Sequence, residues 1–172
     1  MILETLRLVL RKLTQSDFTN LCRTLQDPIA MAAYEHAFTD AEVQDWLNKQ
    51  LTRYAQDGFG LWAVVLKSTD AFIGQCGLTL QAVGGQQVLE VGYLLERRYW
   101  HHGYATEAAL ACQAYAFNTL GAAEVYSIIR DTNLPSQAVA LRGGMQQCGS
   151  LVKHYYGVDM PHYIYKIEQS SL

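Results

Sequence analysis

A single glycine between an apolar segment and an alanine-rich run is the feature that most limits how this chain can fold. The stretch ERRYWHHGYATEAAL, Glu96–Leu110, holds Gly103 near its centre. Apolar residues ending at Leu95 predict a strand, and the run 104–120 predicts a helix. First-turn N–H groups of a helix lack internal acceptors, and the helix dipole adds positive charge there. This arrangement is suited to binding an anion, because glycine leaves a phosphate unobstructed.

Two interpretations of this stretch stay open. In the first, Gly103 only permits a tight turn. In the second, a nest of N–H groups, the hydroxyl of Thr106 and a cation from Arg97–Arg98 hold a phosphate. Neither G-x-G-x-x-G in this loop nor G-x-x-x-x-G-K-[ST] anywhere in the chain is present to decide the matter. The adjacent His101 and His102 point in different directions, so no metal site is predicted.

The other segments predict an α+β fold built on one mixed sheet, with about seven strands and about four helices in the order β-α-α-β-β-β-α-β-α-β-β. Short turns join the middle strands, which indicates antiparallel pairing there. The predicted strands are 6–11, 61–67, 72–80, 87–95, 125–130, 145–152 and 162–168. The predicted helices follow the capping residues 14–17 and 39–40, ending near 25 and 58, and then cover 104–120 and 133–143.

Composition narrows the class of protein. A length of 172 residues, half of them hydrophobic, suits one domain over 1–172 with its own core. The net charge of −3 argues against a nucleic-acid partner. The N-terminus lacks a signal-peptide pattern and the longest apolar run, 59–66, is too short to span a bilayer, so a cytoplasmic protein without a membrane partner is expected. Four scattered cysteines without a CxxC pair predict free thiols.

Four stretches together resemble the GNAT acyl-CoA N-acyltransferases, and most closely the branch that includes ribosomal-protein (alanine) N-terminal acetyltransferases. They are LEVGYLL (89–95), RRYWHHGYATEA (97–108), VYSIIR (125–130) and DTNLPSQAVALRGGM (131–145). That branch typically reads E-x-G-Y-x-L, W-x-x-G-Y-A-T-E-A, N-x-x-S and G-M, and the order of elements matches over nearly the whole chain. The resemblance implies a GNAT-like sheet in which the fourth and fifth predicted strands, 88–95 and 125–130, are parallel neighbours that splay apart.

The resemblance also implies acetyl-CoA as co-substrate. Its pyrophosphate is expected on the main-chain N–H groups of 101–106, and its pantetheine arm in the splay, paired with the backbone of 93–95. Asn133 is expected to contact the pantetheine or orient a water, and Ser136 to hydrogen-bond the sulfur. Helix capping is the alternative for both. The residues predicted to bind acetyl-CoA are Tyr93, Leu94, Leu95, His101, His102, Gly103, Tyr104, Ala105, Thr106, Asn133 and Ser136.

Glu90 is the candidate general base and Ser136 the second candidate catalytic residue. Strand alternation puts Glu90 among apolar neighbours, where the pKa of a carboxyl rises toward neutrality. The alternative is an exposed or salt-bridged glutamate. Glu107 is a weaker candidate, because a carboxylate in a first helical turn also serves as a cap. Many GNAT enzymes carry a tyrosine seven residues after the Asn, but Ala140 stands there, so the general acid stays unassigned. The N–H of Leu94 or of the next residue is expected to polarise the thioester carbonyl.

The acceptor is expected to be a primary amine, bound by the loop between the first two helices and the loop before the last strand. Tyr34, Glu35 and Tyr155 are the predicted contacts, and Glu35 and Asp159 either attract a cation or are solvated surface charges. The resemblance favours a protein N-terminal α-amine. A small-molecule amine, such as an amino acid, polyamine or antibiotic, and a non-catalytic acyl-CoA-binding module are the alternatives. The protein is expected to be a monomer or a homodimer.

Overall fold

Eight strands form one sheet in the order β1-β2-β3-β4-β5-β6-β8-β7 in the computed structural model, which describes residues 1–155 and 157–169. Every neighbouring pair is antiparallel except β5 and β6, which run parallel. The strands are β1 (Leu3–Glu4), β2 (Leu8–Arg11), β3 (Leu61–Leu66), β4 (Ala71–Val83), β5 (Gln86–Leu95), β6 (Glu124–Arg130), β7 (Gln146–Tyr155) and β8 (Val158–Glu168). The helices are α1 (Phe18–Leu25), α2 (Asp40–Gln56), α3 (Tyr104–Asn118) and α4 (Leu134–Arg142).

The predicted α+β class and helix order are confirmed, but the described sheet has eight strands rather than seven. The difference lies at the N-terminus, where the strand predicted from Leu6 onward is a short hairpin of β1 and β2. Leu8 and Leu10 are fully buried, whereas Leu6 is 89% exposed. Leu6 lies in the tight turn between β1 and β2, where the N–H of Thr5 donates to the carbonyl of Leu8 at 2.9 Å. Alternation alone does not distinguish a strand from a strand that follows a tight turn.

Capping residues place the helices where the sequence predicts. Thr39 forms a reciprocal capping box with Glu42 at the start of α2, its own N–H donating to the Glu42 carboxylate at 2.8 Å. The Asn133 side chain accepts the N–H of Ser136 at 3.3 Å and begins α4, with Pro135 in the first turn. The chain leaves α3 through Gly121, whose φ is +67°.

The sheet is covered on both faces, and two consecutive residues of β4 show it. Gln75 accepts a hydrogen bond from the indole N–H of Trp46 on α2 at 3.0 Å, and the Sγ of Cys76 lies 3.6 Å from the Sγ of Cys112 on α3. Successive strand side chains point to opposite faces, so α2 and α3 lie on opposite sides of β4. All four cysteines are free thiols, as predicted.

The last two strands form a longer hairpin than the sequence predicts. Strand β7 continues to Tyr155 and β8 begins at Val158, so most of the predicted loop before the last strand is paired strand. Asp159 lies opposite His154 in this hairpin, and their exposed side chains are in contact. Tyr156, another residue of the predicted loop, lies outside the described residues.

Candidate active site

Strands β5 and β6 separate almost at once, as predicted. Their only described pair is Glu90 with Tyr126. Beyond it the hydroxyl of Ser127 donates to the carbonyl of Val91 at 2.9 Å, so a side chain takes the place of the backbone ladder. From Val91 onward the edge of β5 that faces β6 is open, which gives the molecule a cleft between two parallel strands.

The register of β5 with β4 decides which backbone groups face this cleft. The N–H of Glu96 donates to Ile73 on β4, and hydrogen-bonded pairs alternate along an antiparallel ladder. Leu94 therefore turns its N–H toward β4, and of the two N–H groups predicted to polarise a thioester only that of Leu95 faces the cleft. Tyr93 and Leu95 turn theirs toward the cleft. The carbonyl of Leu95 is already taken, since it accepts the indole N–H of Trp100 at 2.9 Å.

The start of α3 has the N–H groups that an anion site needs. The first helical bond runs from the N–H of Glu107 to the carbonyl of Gly103 at 3.0 Å. The N–H groups of residues 101–106 therefore have no acceptor within the described part of the chain. Gly103 has φ of +78° and His101 has φ of +63°, so the loop takes the left-handed conformations of a nest. A Cβ on Gly103 would lie 3.5 Å from Arg7, an ordinary contact, so the backbone angle rather than crowding requires glycine.

Arg7 and Glu107 hold this loop to the sheet, a role that the sequence analysis missed. The Glu107 carboxylate accepts bonds from the hydroxyl of Thr5 (2.6 Å), the N–H of Arg7 (2.9 Å) and the Arg7 Nε (2.7 Å). The Arg7 guanidinium donates to the His102 carbonyl at 2.9 Å and lies over the ring of Tyr104. Arg7 and Thr5 lower the pKa of Glu107 against its partial burial. Glu107 is therefore a structural anchor and is removed from the candidate bases.

The predicted charge from Arg97 or Arg98 is already neutralised. Arg97 pairs with Asp27 at 2.6 Å, and Arg98 pairs with Glu96 at 2.7 Å. These groups and His101 line a hollow beside the α3 start. The pairs leave anion binding at this end to backbone N–H groups.

Glu90 combines burial with incomplete hydrogen bonding. Its Oε2 is buried and has no hydrogen-bond partner among the described residues. Burial raises the pKa of Glu90 to about 7, partly offset by Lys153, Arg53 and the backbone N–H of Ile128. The interpretation of Glu90 as a salt-bridged residue does not hold, because no cation lies within 4.0 Å of it in the described structure. A carboxyl with this pKa can accept a proton near neutral pH.

A tyrosine of β5 is hydrogen-bonded to the first turn of α4 across the cleft. The Tyr93 hydroxyl donates to the Ser136 carbonyl at 2.7 Å, and burial raises the pKa of Tyr93. Asn133 is the helix cap, so Ser136 does not cap, and its hydroxyl has no hydrogen-bond partner in residues 1–155 and 157–169. Ala140 is buried at 3% exposure and offers no proton.

A pocket of about 400 Å³ opens beside Glu90 between α2, the α1–α2 loop, β5, β6 and the last hairpin. All three predicted acceptor contacts line it, namely Tyr34, Glu35 and Tyr155. Of the residues predicted to bind acetyl-CoA, the pocket is lined by Tyr93, Leu94, Asn133 and Ser136. Asp159 is not among its walls. The pocket thus holds Glu90 together with the open edge of β5, and the free N–H groups of residues 101–106 follow in the chain beyond the end of that strand.

The pocket also contains basic residues that the sequence analysis did not select. Lys49 and Arg53 come from α2, Lys153 from β7 and Arg130 from β6. His162 is buried, and burial lowers its pKa, which favours the neutral imidazole. The spacing of Lys49 and Arg53 could have indicated a binding site in the sequence, because like charges four residues apart destabilise a helix. The sequence holds no such indication for Lys153 and His162, because only the folded sheet brings them into the pocket with Glu90.

No three His, Cys, Asp or Glu side chains in residues 1–155 and 157–169 group as they would around a metal ion. None of the described helices combines the length and hydropathy that crossing a bilayer requires.

Known proteins share both the sequence and this fold. The sequence profile of the Acetyltransferase (GNAT) domain family matches residues 7–146. The protein YkkB of Bacillus subtilis (strain 168) is 34% identical over 152 residues, which cover 88% of each chain. A GNAT-family acetyltransferase from Bacillus anthracis superposes with a TM-score of 0.82, 24% identity and 98% coverage of each chain. The ribosomal-protein-S5-alanine acetyltransferase from Vibrio fischeri has a TM-score of 0.77 and 18% identity, covering 98% of this chain and 96% of that one.

These likenesses agree with the geometry of the cleft. The two structural matches are below 25% identity and show the fold alone, and one of them is a ribosomal-protein acetyltransferase, consistent with the predicted branch. The profile match over most of the chain and the relative above 30% identity show more than the fold. The chain belongs to the GNAT acetyltransferase family and is an acetyltransferase.

Proposed function

We propose that this protein moves the acetyl group of acetyl-CoA to a primary amine by direct attack in a ternary complex. The observation that carries the proposal is the position of Glu90. Its unpartnered carboxyl lies where β5 and β6 separate, at one end of a cleft whose other end has free N–H groups. A base and an anion cradle thus lie toward the two ends of the open edge of β5, which is the proposed channel for acetyl-CoA.

The chain's own groups fit acetyl-CoA along that channel. The N–H groups of residues 101–106 would hold the pyrophosphate, and the backbone of Tyr93 and the N–H of Leu95 would pair with the pantetheine arm. The co-substrate supplies the activated thioester. Holding it beside the amine contributes to catalysis, since effective molarity is worth ~7–11 kcal/mol in well-oriented reactions. The N–H of Tyr93 or Leu95 takes the role of carbonyl donor, worth about 3 kcal/mol where such donors are well placed.

Glu90 is the proposed general base. It accepts a proton from the attacking amine, directly or through a water, as the N–C bond forms and the C–S bond breaks. The departing thiol has an ordinary pKa of ~8.5, so water is a sufficient proton source. Ser136 is assigned to hydrogen-bond the leaving sulfur, because it lines the pocket and its hydroxyl has no hydrogen-bond partner among the described residues. His162 is the second candidate base, since its Nδ1 contacts the Met160 carbonyl at 2.7 Å and leaves Nε2 available.

The acceptor class follows less directly from the site. A protein N-terminal α-amine is supported by the fold shared with ribosomal-protein acetyltransferases. A small-molecule amine is supported by the pocket of about 400 Å³, which is the size of a small-ligand site. Membership of a family of acetyltransferases argues against the alternative of a non-catalytic acyl-CoA-binding module.

The test is release of thiol from acetyl-CoA with a panel of peptide N-termini and small amines, with the acetylated product identified by mass. We expect turnover with at least one amine and its loss in Glu90→Gln. Calorimetry should give the Glu90→Gln variant the same affinity for acetyl-CoA as the wild type. Failure of acetyl-CoA to bind, or full activity in Glu90→Gln and in Glu90→Ala, would contradict the proposal.

A further inference from the structure

Three cations converge on the pocket beside Glu90 without an acidic partner. Lys49 and Arg53 lie one turn apart on α2, and Lys153 reaches the same space from β7. No carboxylate of the described residues lies within 4.0 Å of any of their charged nitrogens. Among the described residues, the Arg53 guanidinium donates one hydrogen bond, from Nη1 to the amide oxygen of Gln50 at 3.2 Å.

These cations are close enough to repel one another. Arg53 and Lys153 both lower the pKa of Lys49, after the larger effect of its partial burial. Burial also lowers the pKa of Arg53, with Glu90 and Asp57 acting in the opposite direction. Keeping like charges together on the wall of one pocket raises the free energy of the folded protein. A bound ligand of opposite charge offsets that repulsion.

The carboxylates that face the pocket do not neutralise it. Glu90 has a pKa of about 7 and so carries only part of a charge at neutral pH. Glu35 is exposed on the pocket rim. Arg130 adds a fourth cation: its Nη1 donates to the Ala32 carbonyl at 3.2 Å, and its Nε is buried without a partner among the described residues. The pocket is positive although the chain as a whole has a net charge of −3.

The phosphates of acetyl-CoA do not account for these cations. The N–H groups proposed for the pyrophosphate belong to residues 101–106, and the arginines near them are paired with carboxylates. Lys49, Arg53 and Lys153 instead line the same pocket as Glu90, on whose carboxyl Lys153 and Arg53 act electrostatically. They lie on the side of the cleft where the acceptor must bring its amine.

We infer that the acceptor is a small molecule that carries an anionic group, a carboxylate or a phosphate monoester, in addition to its primary amine. Lys49, Arg53 and Lys153 bind the anionic group, and the amine then lies toward Glu90. This inference rests on the proposed function and names its substrate class. It excludes polyamines, because a polycation would add further positive charge to an unpaired positive pocket.

The test uses matched amines that differ in the anionic group alone. One pair is O-phosphoethanolamine and ethanolamine, and another is glycine and glycinamide; spermidine and a short peptide with an acidic second residue complete the panel. We expect kcat/KM for the anionic member of at least one small-molecule pair to exceed that of its neutral partner by at least about tenfold. The glycine pair is a conservative comparison, because the amide has the more readily deprotonated amine.

Variants connect that preference to the three cations. Lys49→Gln and Lys153→Gln should each remove most of the difference, through a rise in KM of about tenfold with little change in kcat. Arg142→Gln is the matched control, because Arg142 lies in the last turn of α4 and is not among the pocket walls. Calorimetry with O-phosphoethanolamine and glycine in the presence of CoA should show binding to the wild type and about tenfold weaker binding to Lys153→Gln.

The outcomes separate this inference from the proposed function. Acetylation of neutral amines, spermidine or only the acidic peptide at rates that Lys49→Gln and Lys153→Gln leave unchanged would overturn the anionic small-molecule class while the acetyltransferase function stands. The absence of binding of both anionic amines to the CoA-loaded protein would overturn it as well. Failure of acetyl-CoA itself to bind would instead reject the proposed function together with everything built on it.

Discussion

Basic side chains lie at both ends of the cleft, but only those at the start of α3 are neutralised. Arg7 is bound to Glu107, Arg97 to Asp27 and Arg98 to Glu96, all at 2.6–2.7 Å. At the other end Lys49 and Lys153 have no carboxylate within 4.0 Å among the described residues. The same residue types therefore stabilise the fold at one end and remain available for a ligand at the other.

The two ends thus offer an anion different groups, backbone N–H groups at one end and side-chain cations at the other. At α3, binding is assigned to directional backbone N–H groups, and the arginines fix the loop that presents them. This arrangement suits a ligand whose phosphate position must be set by geometry, because N–H groups in a helix start cannot move independently. At the pocket, side-chain cations line the same walls as a carboxyl with a pKa of about 7. That arrangement suits a ligand recognised by charge, with an amine that must lose a proton.

The largest expected effect comes from removing the carboxyl that distinguishes the pocket. Glu90→Gln retains the shape but accepts no proton, so kcat should fall by about 10²–10⁴, the usual contribution of a general base. Single-turnover measurements with saturating acetyl-CoA would give this value directly. His162→Gln is the companion variant: a larger loss of kcat there than in Glu90→Gln would transfer the role of base to the histidine.

The same carboxyl predicts opposite pH responses of activity and stability. The kcat/KM of the wild type should rise with pH up to about 7, with a loss of about tenfold per unit below it, because only ionised Glu90 accepts a proton. The folded-state pKa is raised above the ordinary value of 4.5, so the stability gained from the neutral form is complete below pH 4.5 and is lost as pH rises through about 7. Thermal unfolding should therefore show Glu90→Gln more stable than the wild type at pH 8 but not at pH 4.

At the α3 end the corresponding test changes backbone geometry. Gly103→Val places a β-branched residue at φ of +78°, which costs on the order of 1–3 kcal/mol and displaces the N–H groups. We expect the Kd for acetyl-CoA to rise at least about tenfold. Gly121→Val is the matched control, since Gly121 has φ of +67° just beyond the same helix, with nothing within 4 Å of the added Cβ. Both variants should lose stability, and equal loss of affinity in both would remove the special role of the loop.

The sequence predicted the α3 end better than the pocket, and the reason is distance along the chain. Gly103, the capping residues and the separated strands follow from local patterns and a contiguous motif. The Arg7–Glu107 pair joins residues 100 positions apart, and no local signal connects them. Lys153 meets α2 only because the β7–β8 hairpin lies across the sheet from it, and the sequence predicted that segment as a loop. Charged residues at a site assembled from four elements cannot be told from solvated surface residues before folding.

Removing a paired charge should lower the stability of the protein, whereas removing an unpaired one should not. Glu107→Ala removes the acceptor of Thr5 and of two Arg7 donors, at a cost of about 2 kcal/mol, so Tm should fall by about 4–8 °C. Lys49→Gln relieves repulsion from Arg53 and Lys153, so Tm should stay the same or rise slightly. Differential scanning calorimetry at low ionic strength gives both values. A drop in Tm for Lys49→Gln comparable to that of Glu107→Ala would mean that the pocket cations are structural.

The smallest expected effect is the response to salt, and it compares the two ends in a single protein. Screening weakens exposed and half-exposed charges once the Debye length falls from ~10 Å at 0.1 M to ~3 Å at 1 M. Acceptor KM depends on unpaired cations, so it should rise a few fold between about 0.1 M and 0.5 M sodium chloride. Contacts of the pyrophosphate with N–H groups are short and directional, so the Kd for acetyl-CoA should change less over the same range. Lys153→Gln should flatten the response of KM and leave that of the Kd as it was. The opposite result, a Kd more sensitive to salt than the KM, would mean that the arginines of the α3 end leave their carboxylate partners when acetyl-CoA binds. The two ends would then differ in the free protein but not in the complex.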